Sequence, residues 1–377
     1  MCPGRQGGSD YRSIWLKTRH RVASSYRESG RKAENFKPMI KQFNISHFGP
    51  LSQVTATGLG AINLIVGGNS CGKTFLLKAL YAACRAQEET GRGDDPRDFT
   101  EVLSDKLYWT FQVEKLGELV AKGAQGRLQV NVSQKDNGSL VFGFGPDTTK
   151  KVNLIHNNLS TREANSVFLP PKEVLGLSKV ILKTALQDKA FGFDATYVDL
   201  VLALQAPSGK GRTRDAFQRS KNKLESMFQG RMEYDSSKDS WVYKKGNSKF
   251  SVNATAEGIK KIAILDTLLS NRYISPDSII FIDEPESALH PSAISQLMEI
   301  VEILAGQGVQ FFMATHSYFV IKKLFNIALK SNVDIPVLMP DGNGMWTQSN
   351  LKDGMPNNPI IEESIRLFDE EMEISLS

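Results

Sequence analysis

The chain has 377 residues, 41% of them hydrophobic, and a formal net charge of +5, enough apolar material for one large domain or two smaller ones. Three cysteines (Cys2, Cys71, Cys84) are too few and too scattered for a disulfide framework or a structural zinc site. No apolar run reaches membrane-spanning length and no charged-then-apolar leader opens the chain, so membrane and secreted classes are set aside and a soluble, cytoplasmic protein is expected.

Residues 1–38 hold nine Lys/Arg against three Asp/Glu, a local charge of +6, which leaves the remainder nearly neutral. This Gly-, Ser- and Arg-rich stretch reads as a disordered basic arm or an upstream extension of the true start, with a nucleic-acid contact as the alternative. From Met39 to Val66 apolar and polar residues alternate around a turn at Gly49-Pro50, predicting short antiparallel strands. The apolar run Ala61–Val66 then predicts a buried strand, and a helix from Thr74 ends near the breaker-rich stretch 91–96. A helix around Phe99–Leu107 follows. Residues 128–132 and 140–144, parted by Lys135-Asp136-Asn137-Gly138, predict a hairpin, and 165–169 a strand re-entering the core before Pro170-Pro171. Helices return between Tyr197 and Phe228, and a second hairpin is predicted from 232–234 and 241–243. An amphipathic helix carries Ile259, Ile262, Leu265, Leu268 and Leu269, and 278–316 reads as a strand, helix, strand unit. The alternation argues for an α/β fold with a mainly parallel, buried sheet.

Between the buried strand and the first helix lies Gly67-Gly68-Asn69-Ser70-Cys71-Gly72-Lys73-Thr74, the GxxxxGKT pattern of a phosphate-binding loop. Glycines let its backbone turn tightly and aim N–H groups inward, and the helix beginning near Lys73 presents unsatisfied donors to phosphate. Lys73 is expected to reach the β- and γ-phosphates, and Thr74 to supply a hydroxyl to Mg²⁺. Far downstream, Ser278–Ile282 is an apolar strand ending in Asp283-Glu284. Asp283 is expected to hold Mg²⁺ and Glu284 to polarise the water that attacks the γ-phosphate. ATP and Mg²⁺ are therefore the expected cofactors.

DEPESALHP at 283–291, followed by Ala314-Thr315-His316-Ser317, resembles the Walker B, D-loop and switch-histidine sequence of ABC-type ATPase heads. Within them it is similar to the prokaryotic OLD-like and RecF/SMC-like group. The resemblance implies a P-loop NTPase of ABC-ATPase head type, with an antiparallel N-terminal subdomain and a helical and hairpin lobe inserted between the Walker motifs. It implies that His316 contacts the γ-phosphate and that Ser287–His290 form a loop at a dimer interface. It also implies that a signature loop at 253–258 closes over the partner's nucleotide through Thr255, Ala256 and Gly258, with Ala256 where the family has serine. No glutamine stands at the expected Q-loop position, where Pro170-Pro171-Lys172-Glu173 are found.

The expected organisation is a 1–38 arm, a 39–170 first part of the ATPase core, a 171–252 inserted lobe, and 253–377 with the signature helix, Walker B strand, D-loop, switch histidine and C-terminal helix. The expected protein is an ATP hydrolase that forms a homodimer around ATP and controls a separate effector protein in trans, as in prokaryotic antiviral defence. A RecF-like DNA-binding clamp and an ATP-binding scaffold with little turnover are the alternatives. The basic run 208–223 reads as a solvated helix face or a phosphate contact, and Cys71 as small-residue filling of the loop. The helical stripe Ile361, Ile365, Phe368 and Met372 is expected to dock the C-terminal helix on the core.

Overall fold

The computed structural model describes residues 39–123, 125–207, 215–238, 240–341 and 345–376. The basic arm 1–38 and the first part of the basic run, 208–214, lie outside the described residues. In chain order the elements are β1 (Ile40–Phe48), β2 (Leu51–Ala56), β3 (Ile62–Val66), α1 (Lys73–Glu89), α2 (Phe99–Phe111), β4 (Leu128–Gln134), β5 (Ser139–Phe144), β6 (Asn153–Asn157) and β7 (Ser166–Leu169). They continue with α3 (Ser178–Leu182), α4 (Ala195–Leu204), α5 (Asp215–Phe228), β8 (Arg231–Asp235), β9 (Ser240–Lys245), β10 (Ser248–Ser251), α6 (Glu257–Ser270), β11 (Ile279–Asp283) and α7 (Pro291–Ala305). The last are β12 (Gln310–Thr315), α8 (Tyr318–Ser331), β13 (Pro336–Pro340), β14 (Trp346–Asn350) and α9 (Pro359–Leu376).

The central sheet has strand order β14-β13-β3-β12-β11-β7, parallel except for the edge strand β14. A parallel sheet must be covered on both faces, and β3 shows how. Ile62, Leu64 and Val66 join the apolar cluster built with α4, α6, α7 and α8, whereas Ile65 joins the cluster built with α1 and the N-terminal sheet. That second sheet, β2-β1-β4-β5-β6, is antiparallel, and a smaller one pairs β10-β9-β8. The expected α/β architecture is therefore present: a mainly parallel core, an antiparallel N-terminal subdomain, and a helical and hairpin insertion between the two nucleotide motifs.

Register places the site. Thr315 pairs with Val66 and Ala314 with Asp283, so β3, β12 and β11 end at one sheet edge with β12 between the other two. Across the sheet Tyr81, Phe168, Phe281 and Phe312 pack edge-on and stacked at centroid separations of 5.4–6.5 Å, seating α1 on β7, β11 and β12.

The rear of α1 is held by charge. Glu88 is fully buried, accepts from Arg162 at 2.8 Å and from the Ser166 peptide N–H at 2.9 Å, and pairs with Arg85 at 3.0 Å. Lys106 from α2 bridges Glu89 at 2.9 Å and Asp199 of α4 at 3.1 Å, and Tyr81 donates to the same aspartate at 2.7 Å. Burial alone would push the Glu89 carboxyl up, but Lys106 and Arg85 beside it hold it below the ordinary value. Such a network fixes orientation more surely than it adds stability, because desolvating each ion offsets most of the attraction.

One expectation is overturned. The C-terminal helix α9 docks only at its start, where Ile360 and Ile361 pack on the core. Ile365, Phe368 and Met372 are 55%, 60% and 43% exposed, because beyond its first turn the helix leaves the apolar surface that the stripe was expected to cover. Among the described residues, no helix is long and apolar enough to cross a membrane.

Asp266 on α6 is 3% exposed and its Oδ1 has no hydrogen-bond partner. Burial, reinforced by Glu225 and opposed by Lys221, pushes its carboxyl up to about 7. The native state thus retains a proton that the unfolded chain releases near pH 4, so this group's contribution to stability is fully present below that value and is lost as pH rises through 7. Asp266→Asn is expected to raise the unfolding free energy at pH 8 by roughly 2–4 kcal/mol and to change it little at pH 4, measured by urea titration at the two pH values.

Candidate functional site

At the end of β3 the chain turns through Ser70 at φ 63° and Gly72 at φ 94° before α1 begins. Gly72 is required twice over. Its backbone is left-handed, and a Cβ there would lie 2.7 Å from Leu51 Cδ2 at the start of β2. The loop encloses the Lys73 ammonium, which donates to the carbonyls of Gly67 at 2.9 Å and Gly68 at 2.6 Å. Asn69, Ser70, Gly72, Lys73 and Thr74 line a cavity of about 430 Å³, large enough for a nucleotide, and Glu284 closes its other wall. Cys71 is half-buried, its Sγ filling the space that a Cβ on Gly67 would need.

Thr74 Oγ1 donates to Asp283 Oδ2 at 2.7 Å across 209 residues of sequence. Asp283 is 2% exposed, and its Oδ1 is buried without a partner. Burial pushes its carboxyl above the ordinary range, the Thr74 hydrogen bond opposes this, Glu284 raises it further, and Lys78 and Lys73 pull it down. A hydroxyl beside an unsatisfied carboxylate oxygen is an all-oxygen donor set suited to Mg²⁺, which is commonly held by one or two protein oxygens together with nucleotide phosphates. The residues fit the ion on that observation.

Glu284 departs from the strand. Its φ is 49°, a left-handed conformation that costs an L-residue about 1 kcal/mol or more. Its peptide N–H donates to the Ala314 carbonyl at 2.9 Å, and its own carbonyl accepts from Ser287 N at 3.0 Å and from Lys261 Nζ. The resulting bend swings the Glu284 side chain, 37% exposed, towards the cavity. His316 follows β12, its Nδ1 3.7 Å from both Glu284 Oε1 and Glu286 Oε1, too long for direct hydrogen bonds. The loop lysine, the threonine, both acids and the histidine thus gather at the shared ends of β3, β11 and β12.

The signature segment stands apart from this cavity. Ala256 caps α6 without a side-chain bond, and Gly258 packs so closely that a Cβ would lie 2.7 Å from the Ala288 carbonyl. The role expected of Thr255 needs correction. Its hydroxyl donates to the Ser251 carbonyl at 3.1 Å and the residue is 8% exposed, so the group that was to replace the missing serine is turned into the protein.

Sequence reasoning assigned no role to three residues around the site. Glu286 accepts from Thr315 Oγ1 at 2.8 Å and from His316 N at 3.1 Å, fixing the end of β12. Lys78 pairs with Asp194 at 2.7 Å on the cavity wall. Lys261 reaches the Glu284 carbonyl from α6. Glu286 lies within the acidic motif, but nothing in its spacing pairs it with Thr315; the other two contacts depend on helix packing and leave no local signal.

Residues 145–322 match the family described as "AAA domain, putative AbiEii toxin, Type IV TA system"; the match includes both acids and His316 but not the phosphate loop. No curated protein matches the chain. Similar solved structures include the SMC head domain from Thermotoga maritima, at 14% identity over 83% of this chain and 98% of that one with a TM-score of 0.44. The Pyrococcus furiosus Smc head with an extended coiled coil, bound to the C-terminal domain of ScpA, is 11% identical over 89% and 100% with a TM-score of 0.48. The recombination mediator protein RecF is 15% identical over 84% and 100% with a TM-score of 0.44. Residues 145–322 thus match an AAA-domain family, and the phosphate loop and acidic strand end joined to that segment give the chain the α/β fold of a P-loop NTPase.

Proposed function

We propose that the chain binds Mg-ATP in the cavity beside the phosphate loop, hydrolyses it, and uses the cycle to control a separate effector protein. The observation that carries this reading is the Thr74–Asp283 hydrogen bond with the second Asp283 oxygen left unpaired. Asp283 and Thr74 would hold Mg²⁺, which when bound neutralises phosphate charge. Lys73 exchanges its two carbonyl partners for phosphate oxygens. Glu284 orients the attacking water, and His316 stands close enough to contact the same water or the terminal phosphate. Phosphoryl transfer needs little covalent chemistry from the protein, so positioned charges of this kind are sufficient equipment.

Dimerisation belongs to this proposal. The exposed Ala256 and the N-terminus of α6 lie outside the chain's own cavity, where they would meet nucleotide held by a second copy. The effector part of this reading draws on the matched family's description, which names a putative AbiEii toxin and a Type IV TA system. For the RecF-like DNA clamp, two of the three cations in the described part of the basic run are paired, Lys221 with Glu225 at 3.7 Å and Lys223 with Glu299, and Arg219 is exposed.

Glu284→Gln is expected to cut ATP turnover by about 100-fold or more while retaining ATP binding, read by phosphate release and by nucleotide retention on a sizing column. Equal turnover in the variant would remove Glu284 from the chemistry, and a wild type that binds ATP without turnover would leave a nucleotide-sensing scaffold. Lys73→Ala is expected to weaken ATP binding by about tenfold or more in equilibrium titration, since it deletes a charge-assisted phosphate contact. Duplex DNA that accelerates wild-type turnover in a salt-dependent manner would favour the clamp instead.

A further inference from the structure

Adjacent lysines on the first turns of α6 point to different anchors. Lys260, 4% exposed, pairs with Glu257 at 2.8 Å and with Glu173 at 3.3 Å, tying the helix to the segment that follows β7. Lys261 runs the opposite way and donates to the main-chain carbonyl of Glu284. That carbonyl lies beyond the last residue of β11, so no sheet partner satisfies it; Ser287 N is its other donor. Glu284 is the residue whose φ of 49° aims its carboxylate away from the strand and into the cavity. Left-handed geometry at a glutamate persists only where its surroundings hold it. Here the peptide group before it is held by β12 through the Ala314 carbonyl, and the one after it by α6 through Lys261.

The start of α6 is also in hard contact with the loop after Glu284. No side chain larger than hydrogen fits at Gly258 without displacing the Ala288 carbonyl, and Ala288 is itself left-handed at φ 62°. A shift of the α6 N-terminus is therefore passed on at two points, through the Gly258–Ala288 contact and through the Lys261 side chain. Burial draws the Lys261 ammonium down to about 8 in spite of the nearby Glu286, Glu284 and Asp283 carboxylates, so the protein bears a desolvation cost to keep this side chain inside.

We propose that Lys261 is a positioning residue that couples the Ala256–Gly258 end of α6 to the orientation of the Glu284 carboxylate. The inference rests on the reading of Glu284 as the group that orients water. It adds a route by which whatever engages the exposed start of α6, a second copy's nucleotide above all, sets the competence of the chain's own site. Lys261 is not among the residues that line the nucleotide cavity, and its effect is exerted through the Glu284 main chain.

The test compares Lys261→Met, Lys261→Arg and Glu284→Gln with the wild type in steady-state ATP turnover and in equilibrium binding of Mg-ATP. Lys261→Met is expected to lower kcat by about tenfold or more with the ATP dissociation constant changed less than about twofold, because a small displacement of an orienting group is costly in rate while the phosphate loop is untouched. Lys261→Arg, which restores a donor, is expected to recover most of the loss. Wild-type kcat in Lys261→Met would overturn the coupling, as would a parallel loss of binding and turnover, which marks a general structural role. If Lys261→Met does not fold, Lys261→Gln is read by the same criteria. Failure of the underlying assignment is recognised separately, by full turnover in Glu284→Gln.

Discussion

A single hydrogen bond, from the Thr74 hydroxyl to the Asp283 carboxylate, joins two stretches of chain 209 residues apart. β12 lies between the strands that deliver them, so the bond forms only when β3, β12 and β11 are in register and end together. Slipping a strand of a buried sheet by one residue reverses the direction of each side chain along it. The alternating partition of β3 and β11 between two apolar clusters is therefore what places the threonine and the aspartate face to face.

The rest of the architecture serves that alignment. Aromatic rings seat α1 on the sheet, and the Arg85–Glu88–Arg162 and Lys106–Glu89 pairs fix its rear. Removing one partner would leave a buried ion uncompensated, a cost of about 3–5 kcal/mol. At the other end the helix begins at a glycine that cannot be replaced without pushing Leu51 aside, so the loop at its N-terminus is shaped from the N-terminal sheet as well as from β3. The acids use the opposite device: Asp283 continues the strand, whereas Glu284 turns out of it at positive φ, giving neighbouring carboxylates two different environments. One is buried and raised in pKa, the other open to the cavity.

Much of this was legible in the sequence because the signals are local. The strand Ile62–Val66, the glycine-rich loop and the helix after it are contiguous, and so is the apolar run that ends in Asp283-Glu284. The hairpin of β4 and β5 was legible from alternation and its turn residues, and the parallel sheet from the strand, helix, strand unit at 278–316. What escaped depends on packing at a distance. Lys106 and Arg162 look like ordinary surface charges until α2 and β7 close over them. Thr255 looked like an available donor, but the Ser251 carbonyl sits within its reach. The stripe on α9 satisfied the helical period, yet periodicity reports which residues share a face and not whether anything covers that face.

The central claim is that Asp283 and Thr74 complete a magnesium site around a bound triphosphate. Calorimetric titration of the wild type and of Asp283→Asn with ATP, each with Mg²⁺ and with a chelator, tests it most directly. The account predicts that the wild type binds ATP about tenfold or more tightly when Mg²⁺ is present, and that the variant loses most of this difference. Absence of ATP binding by the wild type, or equal affinity with and without the ion, would contradict it.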